Sequence, residues 1–240
     1  MNYLYGPDGD YSGFAPGRVL RGGPGFTHFP VRLGLELFGR CAAHLGRETG
    51  LSIYDPCCGA GSLLTVLGFI RRDKIAALIG SDCDERAVGL ARANLSLLTR
   101  QGLQARREEL LSHYAQYGRG SYRQAADSTR RLESLLERGD NPDIRVFQAD
   151  ALAPVSESRL GMGIEADMAI TDVPYGGLTA WQGEGAVKAS GLLDSLAPVL
   201  KPGGAAAICS DKDQSFSSPL FRRVERHNVG KRQFALYIKL

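Results

Sequence analysis

Four short apolar runs in this chain each lead to an aspartate at or just past their end: Leu51 to Asp55, Ala76 to Asp82, Ile144 to Asp150 and Met168 to Asp172. Between them lie helix-favouring stretches. Strands that alternate with helices fold into a parallel, doubly wound sheet with right-handed crossovers. Ligands of such sheets bind outside the carboxyl ends of the strands. The alternation therefore predicts that Asp55, Asp82, Asp150 and Asp172 share one rim.

The remaining elements follow from local signals. Gly34, Leu37, Phe38, Cys41 and Leu45 mark a helical stripe, with Pro30 suited to the first helical position. Ser62 to Ile70 reads as a buried helix. Asp84 is placed to N-cap the next helix, whose core stripe is Val88, Ala91, Leu95 and Leu98. Two polar helical segments, about 101–117 and 121–138, are separated at Gly118 to Gly120 and form a helical insertion within 100–140. A further helix over about 186–200 stops at Lys201-Pro202-Gly203-Gly204, ahead of a strand from Ala205 to Cys209. Residues 221–228 and 233–239 are the last two strands, joined through Gly230. The first 25 residues hold seven Gly and three Pro without periodicity, which predicts an irregular or mobile segment through about residue 29. At 240 residues the chain is expected to be one domain.

Composition excludes several classes. Hydrophobic residues are 43% and charged residues 23%, enough apolar side chains for a core and too few charges for a disordered chain. The longest apolar run, Leu63 to Ile70, falls far short of the ~20 residues that span a bilayer. The start MNYLYGPDGDYSG lacks the basic and apolar regions of a signal peptide. Five cysteines (41, 57, 58, 83 and 209) fit reduced thiols better than a disulfide framework. A cytoplasmic monomer that does not contact membranes is expected. No Cys-x-x-Cys or His-x-x-His pair exists, so no metal site is expected, and the four scattered histidines (28, 44, 113, 227) receive no role.

Charge is clustered. Residues 221–240 carry six Lys/Arg against Glu225 alone, and 100–138 carry eight Arg against five acids. Clustered arginine suits phosphate backbones. On charge alone, solvated helix faces and a basic sheet edge that resists aggregation are the better account.

The strand ends carry the chemistry. In D-P-C-C-G-A-G-S, Gly59 and Gly61 let the backbone approach a ligand. Asp82, at the next strand end, suits ribose hydroxyls. The third glycine of G-x-G-x-x-G is missing, since Leu64 stands there, which favours an adenosine ligand without a pyrophosphate over NAD. Asp150 suits an adenine amino group, or merely an N-cap or Asx-turn. In T-D-V-P-Y-G, Pro174 stiffens the turn. Asp172 beside Tyr175 then suits a planar nitrogen heterocycle, the acid accepting an N–H while the ring stacks. Trp181 suits a stacked nucleotide or a core cap. Cys57 and Cys58 sit in the cofactor turn, where small packed residues are a better account than a nucleophile.

These motifs, D55-P-C-C-G-A-G-S62, G80-S-D-C-D84 with Asn94 downstream, and T171-D-V-P-Y-G176, resemble those of class I S-adenosylmethionine-dependent methyltransferases. With Gly25 to Arg32 (GFTHFPVR), Asp55 to Gly68, the Arg-rich insertion around Ser121-Tyr122, and Trp181, the chain resembles the avilamycin-resistance ribosomal RNA methyltransferases (AviRa type) over roughly residues 20–205. The resemblance implies a Rossmann-like α/β domain with a mostly parallel seven-stranded sheet, helices on both faces and an α-helical insertion. It implies S-adenosylmethionine as cofactor and N-methylation of a guanosine base in 23S ribosomal RNA, alone or in the large ribosomal subunit, with orthosomycin resistance as the outcome. By the same resemblance Asp55, Cys58, Gly59 and Gly61 line the methionine part, Asp82 holds the ribose, Cys83 flanks the adenine and Asp150 binds its amino group. Asp172, also beside the cofactor, and Tyr175 are then catalytic. Arg32, Arg106, Arg107, Arg130, Arg131, Trp181, Lys231 and Arg232 are expected to hold RNA. Val173, in place of the first Pro of D-P-P-Y, departs from the pattern of exocyclic-amine methylators. A protein amide or small molecule as methyl acceptor, or a non-catalytic RNA-binding module, are the alternative readings.

Overall fold

The computed structural model describes residues 2–15, 17–152, 164–173 and 191–240. Its strands are β1 (Leu51–Asp55), β2 (Ile75–Asp82), β3 (Asp143–Gln148), β4 (Ala166–Asp172), β5 (Leu200–Asp211), β6 (Phe221–Val229) and β7 (Arg232–Lys239). They form one seven-stranded sheet in the order β3-β2-β1-β4-β5-β7-β6. β1 to β5 pair in parallel, while β7 runs antiparallel to both its neighbours, so the mostly parallel sheet is mixed at one edge. Gly230, at φ +59°, makes the tight reversal from β6 into β7.

Strand periodicity divides the core. Leu51 and Ile53 of β1 face one apolar cluster, and Tyr54 faces the other. The first cluster takes Leu37 and Phe38 from α1 (Val31–Leu45), Leu64 and Leu67 from α2 (Ser62–Ile70), and Ala91 and Leu95 from α3 (Glu85–Leu95). The second takes Leu192, Leu193 and Leu196 from a short helix, Leu192–Leu196. Helices therefore cover both faces.

Asp84 caps α3 as expected, its side chain accepting from the Arg86 amide. Pro30 stands just before α1 as its N-cap rather than at its first residue. Between α3 and β3 lie α4 (Arg100–Tyr117) and α5 (Gly120–Glu133), followed by a 3-10 turn at Ser134–Arg138.

Two expectations change. The helix expected over 186–200 is seen as Leu192–Leu196 and a 3-10 turn to Val199, and 186–190 lie outside the described residues. Lys201 to Gly204 belong to β5 itself. The register against β4 slips there from Leu200↔Ala166 to Ala205↔Met168, with Gly203 at φ +72° taking up the extra residues. The N-terminal segment is irregular but anchored. Val19 and Leu20 are fully buried, and Glu36 of α1 accepts the Tyr5 and Gly6 amides at 2.6 and 3.0 Å. Glycine content there reported the lack of periodicity and hid the few apolar side chains that fix the path. Among the described residues no helix is long and apolar enough to cross a membrane.

Candidate active site

The parallel strands bring Asp55, Asp82 and Asp172 to one edge of the sheet, with Asp150 just beyond the end of β3. Asp55 is buried between β1 and β4. Its Oδ1 accepts the Thr171 hydroxyl at 2.8 Å and the Cys57 amide at 3.2 Å. Burial pushes its pKa up to about 7; those two hydrogen bonds pull against this, and the Asp82 and Asp172 charges reinforce it. Asp82 and Asp172 are thus both close enough for their charges to act on Asp55.

The turn after β1 is built around two glycines. Gly59 and Gly61 sit at φ +52° and +72°, and a Cβ on Gly61 would lie 3.0 Å from the Ala91 Cα and Cβ. Any side chain here would strain the backbone and push on α3. Asp82 holds the turn: its Oδ2 accepts the Gly59 amide at 2.9 Å and its Oδ1 the Asp84 amide at 3.0 Å. Asn94, fully buried, donates to the Ala60 carbonyl at 2.8 Å and to the Arg21 carbonyl at 2.9 Å, and accepts the Arg21 amide at 2.7 Å. The N-terminal segment is thereby clamped over the turn. Phe29 adds a bond from its amide to Ser62 Oγ at 3.3 Å.

Cys83 is exposed beyond β2, and burial together with the Asp82 charge raises its thiol pKa. Burial lifts Cys57 and Cys58 well above the ordinary thiol value, helped by Asp55 and Asp82. Both are neutral thiols at pH 7, the state of packed residues and not of a nucleophile. Asp150 is exposed, and its Oδ1 accepts the Leu152 amide at 2.8 Å, so it makes an Asx-turn.

Asp172 lies at the end of β4, its Oδ2 3.4 Å from Arg232 Nη1. Arg232 was expected in a basic tail. Because β7 runs antiparallel, its first residue arrives at the same edge where the parallel strands end, opposite Asp211 of β5. Tyr175 and Trp181, with Pro174, lie outside the described residues.

The expected RNA-binding arginines separate. Arg106 is buried, its Nε donating to the Val19 carbonyl at 2.9 Å and its Nη1 pairing with Glu109 at 2.6 Å. It braces the N-terminal segment and cannot present its guanidinium to a phosphate. Arg32 is similarly engaged, 2.7 Å from Asp8, donating to the Gly6 carbonyl and lying over the Tyr3 ring. Arg130 and Lys231 are exposed and Arg107 half-buried. Arg131 is exposed and pairs with Asp10 at 3.1 Å.

Three placements escaped the sequence reading. Thr171 was visible only as a strand residue; that it faces Asp55 depends on β4 lying beside β1. Arg232 was expected to hold RNA, and its place beside Asp172 follows only from the reversal at Gly230. His28, in the clamped segment one residue before Phe29, has a buried Nδ1 with no hydrogen-bond partner among the described residues, and burial lowers its pKa.

Comparison with known proteins fits this arrangement. The family model described as rRNA methyltransferase AviRa matches residues 1–232. A curated relative, the 23S rRNA (guanine(2535)-N(1))-methyltransferase of Streptomyces viridochromogenes, is 38% identical over 229 residues, covering 95% of this chain and 91% of the relative. The solved structure of the rRNA methyltransferase AviRa from the same organism superposes with a TM-score of 0.89 at 35% identity, over 99% of this chain and 96% of that one. TrmN from Thermus thermophilus shares the fold alone, with 19% identity and a TM-score of 0.50 over 88% of this chain and 49% of that one.

Proposed function

The chain belongs to the AviRa family of ribosomal RNA methyltransferases, and from that membership and the acidic edge of its sheet we propose that it transfers a methyl group from S-adenosylmethionine to a guanine ring nitrogen of 23S ribosomal RNA. The observation that carries the reading is the convergence of Asp55, Asp82 and Asp172 around a glycine turn, close enough for the last two to shift the first.

The donor set fits S-adenosylmethionine. Its ammonium, ribose hydroxyls and adenine amino group all donate hydrogen bonds, and this edge is rich in acceptors. Asp55, Cys58, Gly59 and Gly61 would hold the methionine part, Asp82 the ribose, and Cys83 and Asp150 the adenine. A Cβ on Gly59 would meet no protein atom within 4 Å, so the turn is open to a ligand there, while Gly61 lets the turn pack against Ala91 of α3. When bound, the cofactor supplies an electrophilic methyl carbon.

The protein's share is placement and proton handling. Guanine presents N1–H and its exocyclic N–H side by side, a pattern a single carboxylate accepts in bidentate fashion. Asp172 would take that edge, with Arg232 fixing the carboxylate from the far side and Tyr175 stacking on the base. Ring atoms are shielded within a helix, so the base must leave its stack first. As N1 takes the methyl group, Asp172 would accept the N1 proton. Arg107, Arg130, Arg131 and Lys231 would hold phosphates and Trp181 a neighbouring nucleotide, giving position without reading sequence. The expected outcome of the modification is orthosomycin resistance.

Incubation with tritiated S-adenosylmethionine, with naked ribosomal RNA, ribosomal subunits and total protein offered in parallel, tests the reading. Label in RNA supports it. Label confined to protein would replace RNA with a protein amide as acceptor.

A further inference from the structure

We propose that the tip of the α4–α5 hairpin is a stacking platform for unpaired nucleotides of the RNA substrate. The segment Leu110 to Ala126 holds three tyrosines, one histidine and two arginines, and no acid. Its rings form a fixed group: His113 lies 5.3 Å from Tyr122 and 6.1 Å from Tyr117, and the two tyrosines are 6.3 Å apart. The Arg123 guanidinium sits over the Tyr114 ring at 5.9 Å. A separate small core of Leu110, Ala125 and Ala126, with Tyr122 packed on it, holds the two helices together beneath this group. Gly118, at φ +66°, closes the turn.

The rings are held in place, with His113, Tyr114 and Tyr122 half-buried and Tyr117 open to solvent. Tyr117 is 55% exposed and Leu111 41%. Arg119 and Arg123 are exposed beside them. Aromatic faces interleaved with arginines, without carboxylates, suit single-stranded nucleic acid: bases stack on the rings and phosphates meet the guanidinium groups. An acidic or neutral protein partner would leave the stacking faces unexplained, and a membrane would call for a broader apolar area than one tyrosine and one leucine.

The tip is also suitably placed. The glycine turn's Ala60 carbonyl bonds to Asn94, Asn94 to Arg21, and Arg21 to Glu109 of α4 at 2.6 Å. From Glu109 the helix runs on to Tyr117, a further distance of about 12 Å. The hairpin is thus tied through bonded neighbours to the glycine turn where the cofactor is proposed to sit.

This inference rests on RNA being the substrate, so the two are tested side by side. Binding of a naked 23S rRNA fragment, and separately of ribosomal subunits, is followed by fluorescence anisotropy over a range of salt. Tyr117→Ala is expected to weaken binding to naked RNA about five- to hundredfold without changing the salt slope, and Tyr117→Phe to keep it. Arg119→Ala with Arg123→Ala should instead reduce the log–log salt slope by about 0.7 for each phosphate released. A thermal midpoint equal to the parent's shows that each variant is folded, as the exposure of Tyr117 leads one to expect. Parental affinity in Tyr117→Ala overturns the platform, as does equal loss in Tyr117→Phe. Loss with subunits but not with naked RNA also overturns it, since the partner is then a ribosomal protein. The unaltered protein is assayed for methyl transfer to the same fragment. Transfer combined with an indifferent tip removes only the platform, and tip-dependent binding without transfer removes only the methylation reading.

Discussion

Asp55 is the residue whose chemistry depends most on its neighbours. A carboxyl with a pKa of about 7 in the folded chain, against an ordinary value of 3.8, binds more protons folded than unfolded between those two pH values. Stability contributed by this group therefore falls as pH rises through that window, by up to about 1.4 kcal/mol per pH unit. Asp55→Asn should flatten that slope and raise the thermal midpoint of the ligand-free protein at pH 8, read by calorimetry from pH 5 to 8; a parental slope in the variant would assign the titration to another group. The ammonium of S-adenosylmethionine prefers the carboxylate form, so cofactor affinity should drop about tenfold per pH unit below about 7, and Asp55→Asn should bind weakly at every pH. At Asp82 the expectation is simpler. Asp82→Ala removes a charge-assisted bond to ribose and one restraint on the Gly59 amide, and should weaken the cofactor about ten- to a hundredfold by calorimetry. An unchanged affinity would place the ribose elsewhere. The acids themselves were legible because an apolar run ending in Asp is a local pattern. Their partners were not: Thr171 and Arg232 reach the same edge only through the order and direction of strands distant in sequence.

α4 shows where pattern reading succeeds and where it stops. Its extent, from Arg100 to Tyr117, matches the helix expected over about 101–117, because a Thr99 cap and a Gly118 stop are local signals. The fate of its arginines is not local. Arg106 and Arg107 are adjacent in sequence, yet Arg106 turns inward onto the carbonyls of Arg18 and Val19 while Arg107 stays half-buried. Arg106→Ala should therefore destabilise the fold by about 1–3 kcal/mol, through carbonyls left unpaired, and leave the salt slope of RNA binding alone. Arg107, Arg130 and Arg131 replaced together by Ala should do the reverse, lowering the slope by about 0.7–0.9 per lost phosphate contact at an unchanged thermal midpoint. A salt titration beside a melting curve separates the two, and a triple variant with the parental slope would remove these helices from the phosphate grip. The N-terminal segment carries the same lesson. Its glycines predicted irregularity correctly, but Asn94, buried within α3, ties it to the glycine turn.

Assembled, the molecule carries the acidic edge proposed to take the cofactor and the base, and the basic and aromatic α4–α5 hairpin, with the N-terminal segment bonded to both through Arg21 and Asn94. The sheet was legible in outline from seven strand patterns, since parallel βα units repeat one local signal. The strand β7 was foreseen, with Arg232 expected to meet RNA, but its reversed arrival beside Asp172 was not. The most direct test of the account is nucleoside mass spectrometry of 23S rRNA after reaction with the unaltered protein and with Asp172→Asn. The account predicts 1-methylguanosine with the first, and its loss with the second while cofactor affinity falls far less than turnover. Methylation on another nucleoside, or full 1-methylguanosine formation by Asp172→Asn, would contradict it.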